Sequence, residues 1–195
     1  GVIMVNVAIL GYGTVGGGVA EILRKNRDHI SQRAENTVGL KYILTRRDYP
    51  GDPFEDLFVQ DFSIIEQDPD VRIVAECIGG TTVVLAGKHV VTSNKELVAA
   101  YGCELLQIAL EKGCSFLFEA SVGGGIPILR PMSSCLAANE LSEIVGILNG
   151  TTNYILTRMI RGGLSFEDAL QEAQEKGYAE ADPTADIEGY DACRK

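Results

Sequence analysis

The sequence has no tryptophan, only two histidines and few cysteines, and these scarcities exclude several kinds of site. The five cysteines are odd in number and include no CxxC pair, which is typical neither of a disulfide framework nor of a zinc site. His29 and His89 belong to no Ser/His/Asp or Cys/His arrangement. We therefore expect reduced thiols, and surface or packing roles for both histidines. The cysteines lie at positions 77, 103, 114, 135 and 193.

Clustered positive charge and long apolar runs are also missing. Seventeen basic residues stand against 27 acidic ones, and no basic run is present, which argues against a nucleic-acid surface. The apolar start GVIMVNVAILG lacks a basic region before it and runs directly into a glycine loop, so we interpret it as a core strand. We expect a soluble, cytoplasmic protein with no nucleic-acid or membrane partner.

The pattern along the first two thirds of the chain alternates strands with helices. Val5–Leu10 is a continuous aliphatic run, as in a strand buried on both faces of a parallel sheet. Later stretches of the same kind are VGLKYILTRR, VRIVAECIGG, GKHVV and SFLFEASVGGG, and a helix follows GKHVV as far as about Glu111. This alternation predicts an α/β fold with a doubly wound parallel sheet.

The alternating pattern of strands and helices changes near residue 120, and we place a domain boundary near Gly123–Pro127. We expect a dinucleotide-binding domain over residues 1–122 and a substrate-binding, catalytic domain over residues 123–195. The second segment predicts a helix, a strand and two further helices. Within it, Ser165 is the expected N-cap of a helix that Gly177 ends.

A GxGxxG pattern follows the first strand directly and precedes a helix. The first glycine permits a tight turn, the second lets a pyrophosphate approach the backbone, and the third allows close packing of helix on strand. The phosphates of a dinucleotide would then lie at the positive end of the helix. The alternative is an ordinary structural turn. The loop residues in question are Gly11, Gly13, Thr14, Val15 and Gly16.

The end of the second strand bears on the choice between NADP and NAD. An NAD site places an acid there for the ribose 2′-hydroxyl, but the sequence reads Thr45-Arg46-Arg47, with Asp48 arriving late. Guanidinium groups suit a 2′-phosphate, so we favour NADP and take Arg46 as a cofactor contact. Solvated loop arginines, with NAD as cofactor, are the alternative.

Four motifs then occur in a distinctive order: TSNKE, EASVGGGIPI, GILNGTTNYIL and GYAEADPTADIEGYDACRK. With these motifs the chain, from about Val5 to Lys195, resembles the homoserine dehydrogenases. The resemblance implies a Rossmann domain followed by an α+β substrate and dimerisation domain, here incomplete, and a homodimer in the complete protein. It also implies reversible reduction of L-aspartate 4-semialdehyde to L-homoserine by NADPH or NADH, in threonine and methionine biosynthesis.

The resemblance assigns roles to charged residues. Glu180 and Asp191 are implied to bind the amino-acid substrate with support from Asp186, and Lys195 to donate the proton. Asp191 is also implied to belong to the catalytic group, and because it lies four residues before Lys195, the two would share one face of a helix. Lys95 of TSNKE is a rival proton donor between cofactor and substrate. The remaining implied cofactor contacts are Ser93, beside the nicotinamide, and Gly177.

Two of these motifs have a plainer alternative. The acids near the end of the chain are also explained as a charged, capped helix entrance. Thr151 and Thr152 of NGTTNYIL are plausible substrate contacts by the resemblance, but helix capping explains them equally well.

The same resemblance implies a sodium ion. Its ligands would be the Glu119 side chain and the carbonyls of Val122, Gly124 and Ile126. The two-residue spacing would turn these carbonyls the same way in an extended chain. A tight turn between domains is the alternative, and both can hold.

The chain departs from the family pattern in two places. Only TTVVLA separates Gly80 from Gly87, whereas a parallel crossover needs a dozen residues or more. Either the chain has lost the helix that the family has there or residues are missing, and we favour missing residues. The chain also stops at Lys195, where the family continues, so we expect a fragment. Two other functions stay open: a non-catalytic dinucleotide-binding or regulatory module, and an oxidoreductase of the same fold for a sugar or another aldehyde.

Overall fold

The computed structural model describes residues 3–78 and 87–194. The predicted gap in the crossover between Gly80 and Gly87 lies outside the described residues. The strands and helices as far as residue 76 are β1 (Met4–Leu10), α1 (Thr14–Lys25), α2 (Arg27–Ala34), β2 (Thr37–Leu44), β3 (Phe58–Val59), α3 (Phe62–Gln67) and β4 (Val71–Glu76). The later ones are β5 (His89–Thr92), α4 (Lys95–Glu111), β6 (Phe116–Leu117), α5 (Leu129–Cys135), α6 (Gly150–Gly162), α7 (Phe166–Glu175), α8 (Thr184–Ile187) and α9 (Tyr190–Cys193).

Six parallel strands form one sheet in the order β3-β2-β1-β4-β5-β6. Leu10, the last residue of β1, pairs with Leu44 of β2 on one side and with Glu76 of β4 on the other. The chain order reverses between β1 and β4, which is where sheets of this type form a crevice for ligands. The predicted doubly wound parallel sheet is confirmed.

The core explains why β1 is aliphatic throughout. Ala8 and Ile9 are fully buried, and because neighbouring side chains point to opposite faces, they enter different clusters. Ala8 packs with Ile65 of α3, and Ile9 packs with Ala20 of α1. Helices therefore cover both faces of the sheet, as the aliphatic run Val5–Leu10 predicts.

The chain divides into two compact units, Gly1–Pro127 and Ile128–Lys195. The core of the second unit lies between α6 and α7, where Ala169 and Ala173 are fully buried against Ile155. The predicted cap of α7 is confirmed, because the Ser165 side chain accepts a hydrogen bond from the Asp168 N–H. The expected stop is confirmed too, since Gly177 has the left-handed φ of 72° just after α7.

One expectation about extended chain was wrong, and another was confirmed only in part. The strand expected before α6 does not form: residues 140–149 are irregular, and their apolar side chains, such as Val145 at 84% exposure, are not buried. A strand needs a neighbouring ladder to satisfy its backbone, and no strand is present within residues 128–194. The strand expected in SFLFEASVGGG is limited to β6, because a 3-10 turn over Glu119–Ser121 follows it.

Among the residues that the structure describes, no helix is long and apolar enough to span a bilayer.

Candidate functional site

The glycine loop after β1 is built as the GxGxxG pattern predicts. Gly11 has φ 97°, and a Cβ there would lie 3.0 Å from the carbonyl oxygen of Cys77. A Cβ on Gly16 would lie 1.9 Å from the carbonyl oxygen of Gly11, closer than any real contact. The first and third glycines are therefore required by the fold itself, for the turn and for the approach of α1 to the loop.

Gly13 differs from the other two because, within the part of the chain that the structure describes, no atom lies within 4 Å of the Cβ it lacks. It is the N-cap of α1 and, as a glycine, supplies no side-chain cap, and the first turn of α1 carries no acid. The N-terminal N–H groups of α1 and the space over Gly13 thus fit a pyrophosphate at a positive helix end. Thr14 and Val15, which open the helix, are exposed beside this space.

A cavity of about 310 Å³ lies at the carboxyl ends of β4 and β5. It brings together three predicted cofactor contacts that are far apart in sequence, Val15, Ser93 and Lys95. Ser93 follows β5, and Lys95 is the first residue of α4, whose N-cap Asn94 accepts a hydrogen bond from the Leu97 N–H. The remaining wall consists of Glu76, Cys77, Ile78, Asn94 and Glu96.

Glu76 is a buried carboxylate in this wall that the sequence analysis missed. It is only 2% exposed, and it accepts hydrogen bonds from the Thr92 hydroxyl at 2.6 Å and the Ile78 N–H at 2.9 Å. Thr92 in turn accepts a hydrogen bond from the Asn94 N–H at 2.9 Å. Glu76 therefore supports the loop that carries Ser93 and Lys95. The sequence feature that could have identified Glu76 is its place as an acid at the end of the mainly aliphatic segment VRIVAE.

Burial raises the pKa of the Cys77 thiol to about 11, and the charge of Glu76 adds to that effect. At neutral pH the thiol is protonated and a poor nucleophile. The cavity therefore offers no activated cysteine in Cys77.

The end of β2 forms a second small cavity, of about 290 Å³, in the first unit. Thr45, Arg47 and Asp48 line it, and both Arg46 and Arg47 are exposed. The Asp48 carboxylate accepts a hydrogen bond from the Gln60 amide at 3.1 Å. Arg47, which the sequence analysis did not select, lines this cavity, whereas the selected Arg46 lies beside it in the chain.

An aromatic group borders the same strand end. The Tyr12 ring packs edge-on against Tyr49 and Phe58, and its hydroxyl donates to the Asp52 carboxylate at about 3.0 Å. Burial and this hydrogen bond raise the pKa of Tyr12 to about 12, so the phenol stays protonated. Its ring and hydroxyl contacts therefore make Tyr12 a fixed part of the loop wall.

In the second unit, two adjoining cavities of about 590 and 320 Å³ share the walls Thr151, Tyr178, Asp186 and Asp191. Glu180 and Gly177 line the smaller of the two. The structure thus brings together all three acids predicted to bind the substrate. Lys195, the predicted proton donor, lies outside the described residues. Of the other acids, Asp182 accepts hydrogen bonds from Thr184, which lower its pKa, as expected for a turn carboxylate.

Asn149 joins this acidic wall to helix α6. Its side-chain oxygen caps α6 by accepting from the Thr152 N–H at 2.8 Å. Its side-chain nitrogen donates to Asp186 at 2.7 Å and to Asp191 at 3.0 Å. Capping, the plainer alternative for the polar residues of NGTTNYIL, is thus provided by Asn149, whereas its contacts with two acids that lie 37 and 42 residues away were not predicted.

The predicted sodium ligands lie in a turn. Gly123 and Gly124 have φ of 71° and 59°, and the Ile126 N–H donates to the Gly123 carbonyl at 3.1 Å. The expectation of an extended run from Val122 to Ile126 was therefore wrong, because left-handed glycines reverse the chain. A carboxylate with carbonyl oxygens still matches a hard cation in chemistry. Residues 3–78 and 87–194 hold no group of three or more His, Cys, Asp or Glu that fits a metal.

The fold and the loop together define a class: a parallel α/β protein that binds a dinucleotide at the carboxyl edge of its sheet. Two family models cover most of the chain, described as "Homoserine dehydrogenase, NAD binding domain" over residues 11–119 and "Homoserine dehydrogenase" over residues 127–195. The chain belongs to the homoserine dehydrogenase family.

Individual relatives agree. The chain is 44% identical to the homoserine dehydrogenase of Bacillus subtilis over 98% of its own length and 47% of the relative's length. The crystal structure of a homoserine dehydrogenase from Thiobacillus denitrificans matches all of the chain with a TM-score of 0.88 and 42% identity, over 48% of that structure. A hyperthermophilic archaeal homoserine dehydrogenase in complex with NADPH matches 99% of the chain, and 67% of that structure, with a TM-score of 0.77 and 26% identity. The chain spans about half the length of the curated relatives it matches.

Proposed function

We propose that this chain carries the binding sites of an enzyme that interconverts L-aspartate 4-semialdehyde and L-homoserine, with NADPH or NADH as hydride donor. The observation that carries the proposal is the acidic wall of the second unit, where Glu180, Asp186 and Asp191 line adjoining cavities. Both substrates are amino acids, and an ammonium group is bound best by carboxylates. Membership of the family supports the reaction, which belongs to threonine and methionine biosynthesis in the cytoplasm.

The acids and lysines divide the chemistry between them. Glu180 and Asp191 hold the ammonium group, with Asp186 in support, so that the carbonyl has a fixed position. A nicotinamide supplies or accepts the hydride when it is bound. Lys195 gives a proton to the developing alkoxide, and Asp191, four residues earlier in the chain, is proposed to orient it. Lys95 is the second candidate for that role, because it begins α4 in the cavity that Ser93 also lines.

The cofactor site is proposed to prefer NADP. The loop of Gly11, Gly13 and Gly16, with Thr14 and Val15, receives the pyrophosphate, and Ser93 lies beside the nicotinamide. Arg46 and Arg47 are exposed at the end of β2, where a 2′-phosphate would lie. The competing acid Asp48 is bonded to Gln60, which supports the same preference. Gly177 is a further proposed cofactor contact.

Two finer points belong to the same proposal. Glu119, with the carbonyls of Val122, Gly124 and Ile126, would hold a sodium ion. The oxygen donors support this site, whereas the turn at Gly123 differs from the extended chain expected there. The complete protein would be a homodimer. The exposed apolar side chains of Ile144, Val145 and Ile147 support that, since such patches mark interfaces.

The test is nicotinamide absorbance in mixtures of L-homoserine with NADP and then with NAD. It is run on this chain and on a chimera in which the chain replaces the matching part of the Bacillus subtilis relative. Homoserine-dependent reduction in either protein, faster with NADP and absent with L-serine, is the expected result. A Lys195→Ala variant should then lose turnover far more than cofactor binding. If Lys195→Ala keeps its turnover and Lys95→Ala loses it, Lys95 is the proton donor.

Two other results would contradict the proposal. Dinucleotide binding without turnover in both proteins would indicate a binding or regulatory module. Reduction of the cofactor by a sugar alcohol or another alcohol, with homoserine inactive, would indicate an oxidoreductase of different specificity.

A further inference from the structure

Tyr154 of α6 contacts the chain on both sides of Gly177, the residue at which the chain leaves α7. Gly177 has the left-handed φ of 72°, so the direction of the following residues is set at this point. The Tyr154 hydroxyl accepts a hydrogen bond from the Lys176 ammonium at 2.8 Å, and its ring packs edge-on against the Tyr178 ring, with 5.0 Å between the centroids. One side chain therefore bridges the turn that Gly177 makes.

The residues after this turn form a short loop, residues 177–181, that carries part of the cavity wall. Tyr178 and Glu180 line the smaller cavity of the second unit, and Tyr178 also lines the larger one. The Tyr178 side chain is 57% exposed, whereas Tyr154 is packed on the core between α6 and α7. The ring contact thus joins an exposed residue of the loop to a side chain that this core holds in place.

Two other side chains hold the same loop by its carbonyl groups. The Thr151 hydroxyl of α6 donates to the Tyr178 carbonyl at 2.8 Å, and the Gln174 amide of α7 donates to the Glu180 carbonyl at 3.1 Å. Tyr154 differs from both because its ring contacts a side chain of the loop. A substitution at Tyr154 can therefore remove the ring contact while both hydrogen-bond donors to the main chain remain.

We propose that Tyr154 is a positioning residue that, through its ring contact with Tyr178, sets the place of Glu180 in the cavity. The role of Glu180 as a substrate contact rests on the proposed function, whereas the position of the loop rests on the contacts alone. The two parts of the Tyr154 side chain have different tasks. The ring orients the loop, and the hydroxyl, through Lys176, joins the ion pair of Lys176 with Glu172.

The kinetic test compares Tyr154→Leu, which removes the ring, with Tyr154→Phe, which keeps it. In the assay of the proposed reaction, Tyr154→Leu should raise the KM for L-homoserine about threefold to tenfold, the factor that corresponds to an aromatic pair. Turnover at saturation should change less, because Glu180 would hold the ammonium group in the ground and transition states alike. Tyr154→Phe should keep the parent KM, although it loses the hydrogen bond from Lys176 and should unfold at a lower temperature. A merely structural role would instead make KM follow the loss of stability in both variants.

A change at Tyr178 provides the partner variant. Tyr178→Leu breaks the same ring contact from the exposed side, so its KM should rise by a similar factor, and adding Tyr154→Leu to it should raise KM no further. Additive increases would mean that the two rings act separately, which contradicts the proposal. If Tyr154→Leu does not fold, Tyr178→Leu and Tyr178→Phe answer the same question: a rise in KM in the first alone supports the ring contact, and a rise in both overturns it.

A second readout does not need turnover. Chymotrypsin cleaves after aromatic residues, and cleavage after the exposed Tyr178 measures local opening of the loop. Mass spectrometry compares this rate with that of cleavage after Phe166, which packs on the core between α6 and α7 and so reports its unfolding. Relative to Phe166, cleavage after Tyr178 should become about threefold to tenfold faster in Tyr154→Leu and stay at the parent rate in Tyr154→Phe.

The two readouts separate the two ideas. If no protein turns over homoserine but cleavage follows this pattern, Tyr154 positions the loop and the proposed reaction fails. If turnover occurs but Tyr154→Leu keeps the parent KM, or if cleavage after Tyr178 does not respond to the loss of the ring, the positioning role is overturned.

Discussion

The three glycines of the loop after β1 serve two different purposes. Gly11 and Gly16 are needed because atoms of the protein itself occupy the place of a side chain. Gly13 has open space there and an ordinary extended conformation, with φ −91° and ψ −160°. Substitution at this loop can therefore separate folding from cofactor binding.

We expect Gly16→Ala to destabilise the chain by about 1–3 kcal/mol or to prevent folding, because the new methyl overlaps the Gly11 carbonyl. Gly13→Ala should fold with stability within about 1 kcal/mol of the parent and lose dinucleotide affinity by about tenfold or more, since the methyl occupies the pyrophosphate space. Urea unfolding and NADPH fluorescence titration measure the two effects, and the absence of tryptophan keeps the fluorescence background low. Equal affinity in Gly13→Ala and the parent would contradict the assignment of the phosphate site.

Glu76 permits a prediction about a neighbour. Since its charge contributes to the raised pKa of Cys77, Glu76→Gln should lower that pKa below about 11, although burial, the larger cause, remains. The pH profile of Cys77 alkylation, followed by mass spectrometry, measures this change. Thr92→Val is the control, because it removes the 2.6 Å hydrogen bond but keeps the charge. Both variants should lose about 1–2 kcal/mol of stability, yet only Glu76→Gln should shift the profile, and a shift in both would assign the effect to loosened packing.

At the scale of elements, local signals were sufficient where each element could be explained within its own residues. The aliphatic run of β1, the Ser165 cap and the Gly177 stop are of this kind. The strand expected before α6 failed because a strand depends on a neighbour that its own pattern cannot supply. For the same reason the meeting of Asn149 with Asp186 and Asp191 needed the fold: the partners lie in different elements, and no spacing rule connects them.

The α6–α7 hairpin contains an ion-pair group with a predictable pH response. Glu172 of α7 accepts a hydrogen bond from Lys176 and, at 2.7 Å, another from Arg158 of α6. These contacts, led by Lys176, lower the pKa of Glu172 from 4.5 to about 2. Because the folded chain binds this proton less readily than the unfolded chain, the contribution to stability is complete above about pH 4.5 and is lost as the pH falls toward 2.

Glu172→Gln should therefore lower the thermal unfolding midpoint at neutral pH, and the difference from the parent should shrink steadily as the pH falls below about 4.5. Parallel melts of the two proteins over this range make the measurement. Glu175→Gln is the control on the same helix, since the Glu175 carboxylate accepts only the Gln171 amide among its described contacts. A constant difference for Glu172→Gln, or the same pH trend in Glu175→Gln, would mean that the ion pairs do not stabilise the hairpin.

On the scale of the whole molecule, each compact unit has its own core and its own cavities. Among the residues that the structure describes, three hydrophobic clusters, the six-stranded sheet and the glycine loop lie within the first unit. The fourth cluster and the acidic wall belong to residues 128–195. Because a segment with its own core is able to fold alone, the dinucleotide site should not depend on the second unit for its shape.

We expect a fragment of residues 1–127 to fold and to bind NADPH with an affinity within about tenfold of the full chain's. Any loss would measure contacts from the second segment, of which Gly177 is the predicted one. Circular dichroism establishes folding, and NADPH fluorescence titration gives the affinity. The same fragment carrying Gly13→Ala is the matched control, since it should fold equally well but bind about tenfold more weakly or worse. A folded fragment with no affinity for NADPH, beside a full chain that binds it, would show that the second unit completes the cofactor site; the glycine loop alone would then not be enough to hold the dinucleotide.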